Sequence, residues 1–189
     1  MQQSQPILQL ADARVLFPVA GRNKSVHAVD GVSFEVRPRE TFGVIGESGS
    51  GKSTLGRALV CLQPLTEGEL RHDGVDPRGL RPAALRVHRR SFQMVFQDPN
   101  ASLNPRIPVG LSIREPLDIA GAGTREERDR RVFALMERVG LHAALANRFP
   151  HELSGGQKQR VNIARALTQV PKVIVCDEVV AALDVSIQA

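Results

Sequence analysis

The chain has 189 residues, 42% of them hydrophobic and 24% charged, with a formal net charge of +5. That length suffices for one well-buried domain and falls short of two ordinary ones. The composition excludes a low-complexity chain, and no stretch reaches the ~18 consecutive apolar residues of a membrane span.

The N-terminal MQQSQPILQL has neither the cationic start nor the apolar core of a secretory signal. The expectation is a protein that stays in the cytoplasm and reaches a membrane only through a partner. Cys61 and Cys176 are the two cysteines and stand far apart, so neither a disulfide framework nor a zinc site is implied. Both lie in apolar contexts and are expected to be small buried hydrophobes. Arginines concentrate in RPAALRVHRR and TREERDRR, but there is no Tyr or Trp to stack on bases. In TREERDRR the charges alternate and Glu127 precedes Arg131 by four residues, as on a solvated helix face. No nucleic-acid partner is therefore expected.

Residues 7 to 45 read as strands. ILQLADARVLF and GVSFEV carry β-branched and aromatic residues, with the turn signals AGRN and RPRE near them. TFGVIG is a short, nearly all-apolar run, as expected of a strand buried on both faces of a parallel sheet. It leads into GESGSGKSTLGRALVCL, where Leu55, Leu59 and Leu62 keep helical spacing.

At that junction Gly46, Glu47, Ser48, Gly49, Ser50, Gly51, Lys52 and Ser53 satisfy the pattern GxxxxGK[ST], and Thr54 follows. Glycines let backbone N–H groups turn inward and cradle anionic oxygens. The helix beginning near Gly51 adds its positive dipole end. Lys52 supplies a mobile point charge for β- and γ-phosphates, and the Ser53 hydroxyl can hold Mg²⁺. These residues predict a nucleotide site.

DPNASLNPRIPVG is rich in Pro and Asn and reads as irregular. TREERDRRVFALMERVG reads as a helix opened by a Thr124–Glu127 capping box and stopped at Gly140, with Val132, Leu135, Met136 and Val139 as its apolar stripe. SGGQKQRVNIARAL reads as a second helix ending before Pro171. Ser154 and Gln157 have capping-box spacing there, and Gly155 and Gly156 leave the first amides of that helix open to an anion. KVIVCDE is the last strand. Asp177 and Glu178 close it, where one carboxylate can hold a metal's water shell while its neighbour polarises an attacking water. A second phosphate reader in a chain that already has one suggests two chains sharing nucleotide across an interface.

Taken with MVFQDP and AALD, these motifs resemble those of ABC transporter ATP-binding subunits, from about residue 7 to residue 189. HAVDGVSFEV, GESGSGKSTLGRAL, VFQDPNASLNPR, RFPHELSGGQKQR and ALDVSIQA resemble the oligopeptide/dipeptide importer branch. The resemblance implies an α/β fold: a P-loop NTPase (RecA-like) core with an N-terminal antiparallel β subdomain and an inserted α-helical subdomain. The core would comprise 1–97 and 161–189, and the helical subdomain 98–160. It further implies ATP and Mg²⁺ as cofactors and a head-to-tail dimer with a second ATP-binding subunit. Lys52 and Ser53 of one chain would then face Ser154, Gly155, Gly156 and Gln157 of the other. Gln97 would contact Mg²⁺ and the water, Asp177 the metal, and Glu178 would be the general base. Asp184 matches the D-loop, and Phe17 is the candidate to stack on adenine. Membrane permease subunits are the implied partners, with an extracytoplasmic solute-binding protein acting indirectly. The implied location is the inner face of the cell membrane, held through those permeases.

Three departures qualify the resemblance. Val179 follows Glu178 where the family usually has Pro, and Ala181 replaces a usual Ser. A switch histidine should follow a further strand beyond Asp184, and His27, His72, His88, His142 and His151 all precede Asp177. They are expected to be surface or structural residues. The expectation is accordingly a C-terminally truncated subunit with an unpaired apolar sheet edge, marginal stability and weak ATP turnover. Two other classes stand beside it: a nucleotide-binding remnant without turnover, and a non-transport ABC ATPase.

Overall fold

The computed structural model describes residues 5–19, 21 and 24–178. Val179, Ala181 and Asp184 lie outside the described residues. The chain divides into two compact units, one running to Phe92 and one from Gln93.

The first unit is built on three antiparallel strands. β1 spans Leu8–Pro18, β2 spans Ser25–Val36 and β3 spans Glu67–His72, in the order β2-β1-β3. β1 lies centrally, pairing Leu8 with both Val36 and His72 and Phe17 with Val26. Its register slips between Leu10 and Leu16, where Asp12 takes φ 45°. The slip lets Leu8, Leu10, Ala13 and Val15 all stay buried along one strand. Helix α1, Lys52–Leu59, contributes Leu55, Ala58 and Leu59 to the interior, and α2 spans Pro82–His88. Leu62 lies past the end of α1 and is exposed, not part of a helical stripe as its spacing suggests.

The run TFGVIG does not form the buried strand that its composition predicts. Residues 41–46 have no regular structure, and Phe42, Val44 and Ile45 are 44%, 45% and 98% exposed. An apolar run becomes a strand only when neighbours complete its hydrogen-bond ladder, and no strand pairs with it among the described residues. Phe42 instead stacks on Phe34 of β2, with ring centroids 4.6 Å apart.

In the second unit β4, Phe92–Val95, pairs with β5, Val173–Cys176. Between them come α3, Pro99–Ser102; α4, Val109–Ala120; α5, Arg125–Arg138; and α6, Gly155–Leu167. Val109 and Ile113 of α4, Val132 and Met136 of α5, and Val161 and Ala164 of α6 share one core. The predicted α5 stripe packs as read, with Val139 partly buried against it. Thr124 Oγ1 accepts from Glu127 N–H while Glu127 accepts from Thr124 N–H, so the capping box opens α5. Across α4 and α5, Arg114 bridges Asp118 at 3.0 Å and Asp129 at 2.7 Å. The cysteines depart from expectation: Cys61 is half-buried and Cys176 exposed. Cys176 sits on β5, whose residues alternate between half-buried and exposed.

Candidate functional site

The phosphate loop leads into α1 through a turn closed by Ser50 N–H donating to Glu47 O at 3.2 Å. Gly51 is the N-cap of α1 with φ 94°. A Cβ there would lie 1.8 Å from the Ala28 carbonyl oxygen, so only glycine lets the loop press against β2 and turn into the helix. The first intrahelical bond runs from Leu55 N–H to Gly51 O at 2.8 Å. The amides of Lys52, Ser53 and Thr54 therefore stand at the N-terminal end, where a helix attracts anions. Lys52 folds its ammonium back over the loop and donates to Gly46 O at 2.8 Å and Glu47 O at 2.7 Å. A Cβ at Gly46 would meet Ser50 Oγ at 2.6 Å. This is a cradle of backbone and one cation, with the donor chemistry of a polyphosphate site.

The far end of α1 is closed differently. His72 is fully buried, and its Nε2 lies 2.8 Å from Leu59 O. A carbonyl only accepts, so Nε2 carries the hydrogen and Nδ1 is left to accept from His88 Nε2–H at 2.9 Å. The His72 ring also stacks on Phe92, centroids 3.8 Å apart. Burial, then the neighbouring His88, push the His72 pKa down to about 4. The histidine is structural, in agreement with the sequence reading.

Phe17 lies near the end of β1 opposite Val26, and it is 40% exposed. An exposed aromatic face at a strand end is available for stacking.

In the second unit, strand pairing brings two of the predicted catalytic residues together. Asp177 N–H donates to Val95 O at 3.0 Å, carrying the β4–β5 ladder past Cys176. Gln97 follows β4, Glu178 follows β5, and Gln97 Nε2 donates to Glu178 Oε2. Asp98, next to Gln97, caps α3 by accepting from Asn100 N–H at 2.8 Å. Gln97 and Asp177, just past β4 and β5, carry side-chain oxygens of the hard kind that Mg²⁺ takes, as does the Ser53 hydroxyl in the first turn of α1.

Helix α6 opens with the predicted reciprocal cap. Ser154 Oγ accepts from Gln157 N–H at 3.2 Å, and Gln157 Oε1 accepts from Ser154 N–H at 2.9 Å. Nothing stands within 4 Å of where a Gly155 Cβ would lie, so the first amides of α6 are approachable. Ser154, Gly156 and Gln157 line a concavity of about 340 Å³ with His142 and Arg160. The approach is held by Glu152, which accepts from Phe149 N–H at 2.7 Å and from Arg148 at 2.6 Å. Those bonds keep its carboxyl below the usual carboxylate range. This local bracing by Glu152 was not legible in the sequence, since its partners are a backbone amide and a neighbouring arginine with no motif of their own.

The chain is similar to several known proteins. The ABC transporter family model matches residues 29–181. An Oligopeptide transport ATP-binding protein, AppF of Bacillus subtilis, is 49% identical over 189 residues, covering 97% of this chain and 57% of AppF. The Glutathione import ATP-binding protein GsiA of Pectobacterium atrosepticum is 50% identical over 191 residues, covering 98% of this chain and 31% of GsiA. A Brucella abortus relative named for peptide import is 57% identical over 166 residues, 87% of this chain and 49% of that protein. The chain thus spans between 31% and 57% of the length of these relatives. Among solved structures, the ATP-binding cassette MJ0796, a dimer bound to ADP and Pi, superposes with a TM-score of 0.86 at 33% identity. That match covers 95% of this chain and 77% of the cassette. The phosphate loop, the paired strand ends, the capped helix α6 and these likenesses lead to one conclusion: the chain belongs to the ABC transporter ATP-binding family.

Proposed function

We propose that this chain is the ATP-binding and ATP-hydrolysing part of an importer for peptides or similar small solutes. The observation that carries the reading is the Gly46–Thr54 loop, with Gly51 pressed on Ala28 and Lys52 folded over the carbonyls of Gly46 and Glu47. Names of relatives that refer to oligopeptide and glutathione import support the solute class.

In this reading Lys52 exchanges its two carbonyl partners for phosphate oxygens, and the α1 amides hold the remaining charge. Phe17 stacks on the base. Ser53, Gln97 and Asp177 would hold Mg²⁺, which would supply positive charge to neutralise the phosphates. Glu178 accepts a proton from the attacking water, and Gln97 holds that carboxylate in place. Ser154, Gly155, Gly156 and Gln157 serve the nucleotide of a second ATP-binding subunit, and Asp184 matches the D-loop of that family. Residues 1–97 and 161–189 form the nucleotide core, and 98–160 form the helical part. Its partners are membrane permeases, with an extracytoplasmic solute-binding protein acting through them. The protein resides on the cytoplasmic side of the membrane. Among the described residues no helix is long and apolar enough to cross a membrane.

The test is titration with a fluorescent ATP analogue and Mg²⁺, together with Lys52→Ala. Hydrogen bonds to a charged group are worth about 1.5–3 kcal/mol, so the variant should bind at least about tenfold more weakly. Equal binding by both proteins would overturn the reading. Tight binding with no phosphate release would instead identify a binding-only protein.

A further inference from the structure

The carbonyl of Ala28 on which Gly51 rests belongs to the least regular part of β2. Val15 pairs with Val29 and the next residue, Leu16, with His27, so Ala28 is an extra residue in the ladder. Ala13 pairs with Val32, so Asp30 and Gly31 together face the single residue Arg14, with Gly31 at φ 66°. Two irregularities of the bulge kind therefore flank Val29. Each leaves backbone groups out of the ladder, and β2 is an edge strand, paired to β1 alone among the described residues. Main-chain bonds thus hold residues 28–31 more sparsely than the rest of the strand.

Side chains make up the difference. Arg14 lies on β1 opposite this stretch, with its side chain 32% exposed. Its Nε donates to Asp30 Oδ1 at 3.0 Å, while Nη1 donates to Glu67 of β3 at 3.0 Å and to Asp12 at 3.1 Å. The bond from Arg14 is the chief reason that the Asp30 carboxyl lies below its usual range. His27 Nδ1 stands 3.3 Å from the other oxygen of Asp30. A planar guanidinium meets β2 and β3 at once in a fixed geometry, which a single ammonium does not. Asp30 is two residues from Ala28, roughly 7 Å along the strand. The tie ends beside the carbonyl that backs the loop.

We infer that Arg14 is a positioning residue: by tying the bulged stretch of β2 to β1 and β3, it holds Ala28 as the backing of the phosphate loop. Exposed ion pairs add little to global stability, so the effect of this brace is local. Its effect on nucleotide affinity rests on the nucleotide reading above; the brace itself does not.

Amide hydrogen exchange and thermal melting of the full chain test the brace, with Arg14→Met and Arg71→Ala as variants. Arg71 pairs with Glu69 on β3 at 3.2 Å, so its loss removes an equal charge from the same sheet. Arg14→Met should raise exchange about fivefold at the Leu55 amide, whose bond to Gly51 O closes the first turn of α1. The amides of Ile7 and Asp73, bonded at the Leu8 end of the sheet, should change by less than about twofold. The same variant should bind the fluorescent ATP analogue about fivefold more weakly. Arg71→Ala should change both readouts by less than about twofold. Unchanged exchange at Leu55 overturns the inference. So does an equal rise at Ile7 and Asp73 with a lower melting temperature, which would make Arg14 a general stabiliser of the sheet. An equal effect of Arg71→Ala overturns it too, since net charge would then be the cause. Where the unsubstituted chain binds the analogue, unchanged affinity in Arg14→Met also overturns it. Failure of the unsubstituted chain to bind removes the nucleotide reading, while exchange at Leu55 still decides the brace.

Discussion

The side-chain amide of Gln97 donates to a carboxylate oxygen of Glu178 across 81 positions of chain. Neither residue approaches the other through its own loop; the pairing of β4 with β5 delivers both. A carboxylate held by an amide donor keeps its remaining lone pairs directed, which suits a group that accepts a proton from water. Glu178→Gln preserves size and an acceptor but removes the base that the proposed function assigns to this position. Phosphate release in a single turnover should fall by about 10²-fold or more, while ATP affinity stays within roughly twofold. A loss of affinity as large as the loss of rate would place Glu178 in binding instead.

Gly51 offers a sharper test of the loop. Its φ of 94° and the 1.8 Å approach to Ala28 O leave no room for a methyl group. Gly51→Ala should cost about 3 kcal/mol or more in stability and abolish detectable nucleotide binding. Thermal melting and the nucleotide titration read the two effects separately. By contrast Gly155→Ala meets nothing within 4 Å and should melt within about 1 kcal/mol of the unsubstituted chain.

Buried His72 makes stability depend on pH. Its pKa is about 4 in the folded chain, against 6.5 for an ordinary histidine. Between those values the unfolded chain binds a proton that the folded chain refuses. The stability is therefore whole above about pH 6.5 and is lost as pH falls toward 4. The expected loss between pH 7 and pH 5 is about 2 kcal/mol. His72→Gln keeps a donor toward Leu59 O without a titrating ring, and it should flatten the slope of urea-unfolding free energy against pH over that interval.

The ion pairs between α4 and α5 should differ in worth by their exposure. Arg114 is 16% exposed in its side chain and spans two carboxylates, whereas Arg125 is 75% exposed and lies 3.9 Å from Asp129. Arg114→Ala should destabilise by about 1 kcal/mol, and Arg125→Ala by less than about 0.5 kcal/mol. Urea unfolding of the two variants compares them directly.

What the sequence discloses depends on how local the cause is. The capping boxes at Thr124–Glu127 and Ser154–Gln157 were legible because each is satisfied within one helical turn. The phosphate loop was legible for the same reason, since glycine spacing and one lysine define it. The exposure of TFGVIG was not, because a strand is completed by partners from elsewhere in the chain. The bonds that Gln159, Asn162 and Arg165 of α6 donate to the carbonyls of Phe96, Pro99 and Ser102 were equally hidden, since each partner lies 63 positions away. His72 read as an unremarkable histidine until β3 placed it between Leu59 and His88.

The uncovered run at residues 41–46 bears on how the protein behaves in a tube. Six residues with no charge and no proline, three of them large and apolar, have the composition of segments that stack between molecules into cross-β assemblies. Phe42 is partly occupied by its stack on Phe34, but Ile45 is almost wholly open to water. Colloidal loss of the sample should therefore grow with protein concentration. Ile45→Lys would place a gatekeeper charge in the run and should delay turbidity while leaving the antiparallel sheet of β1, β2 and β3 intact.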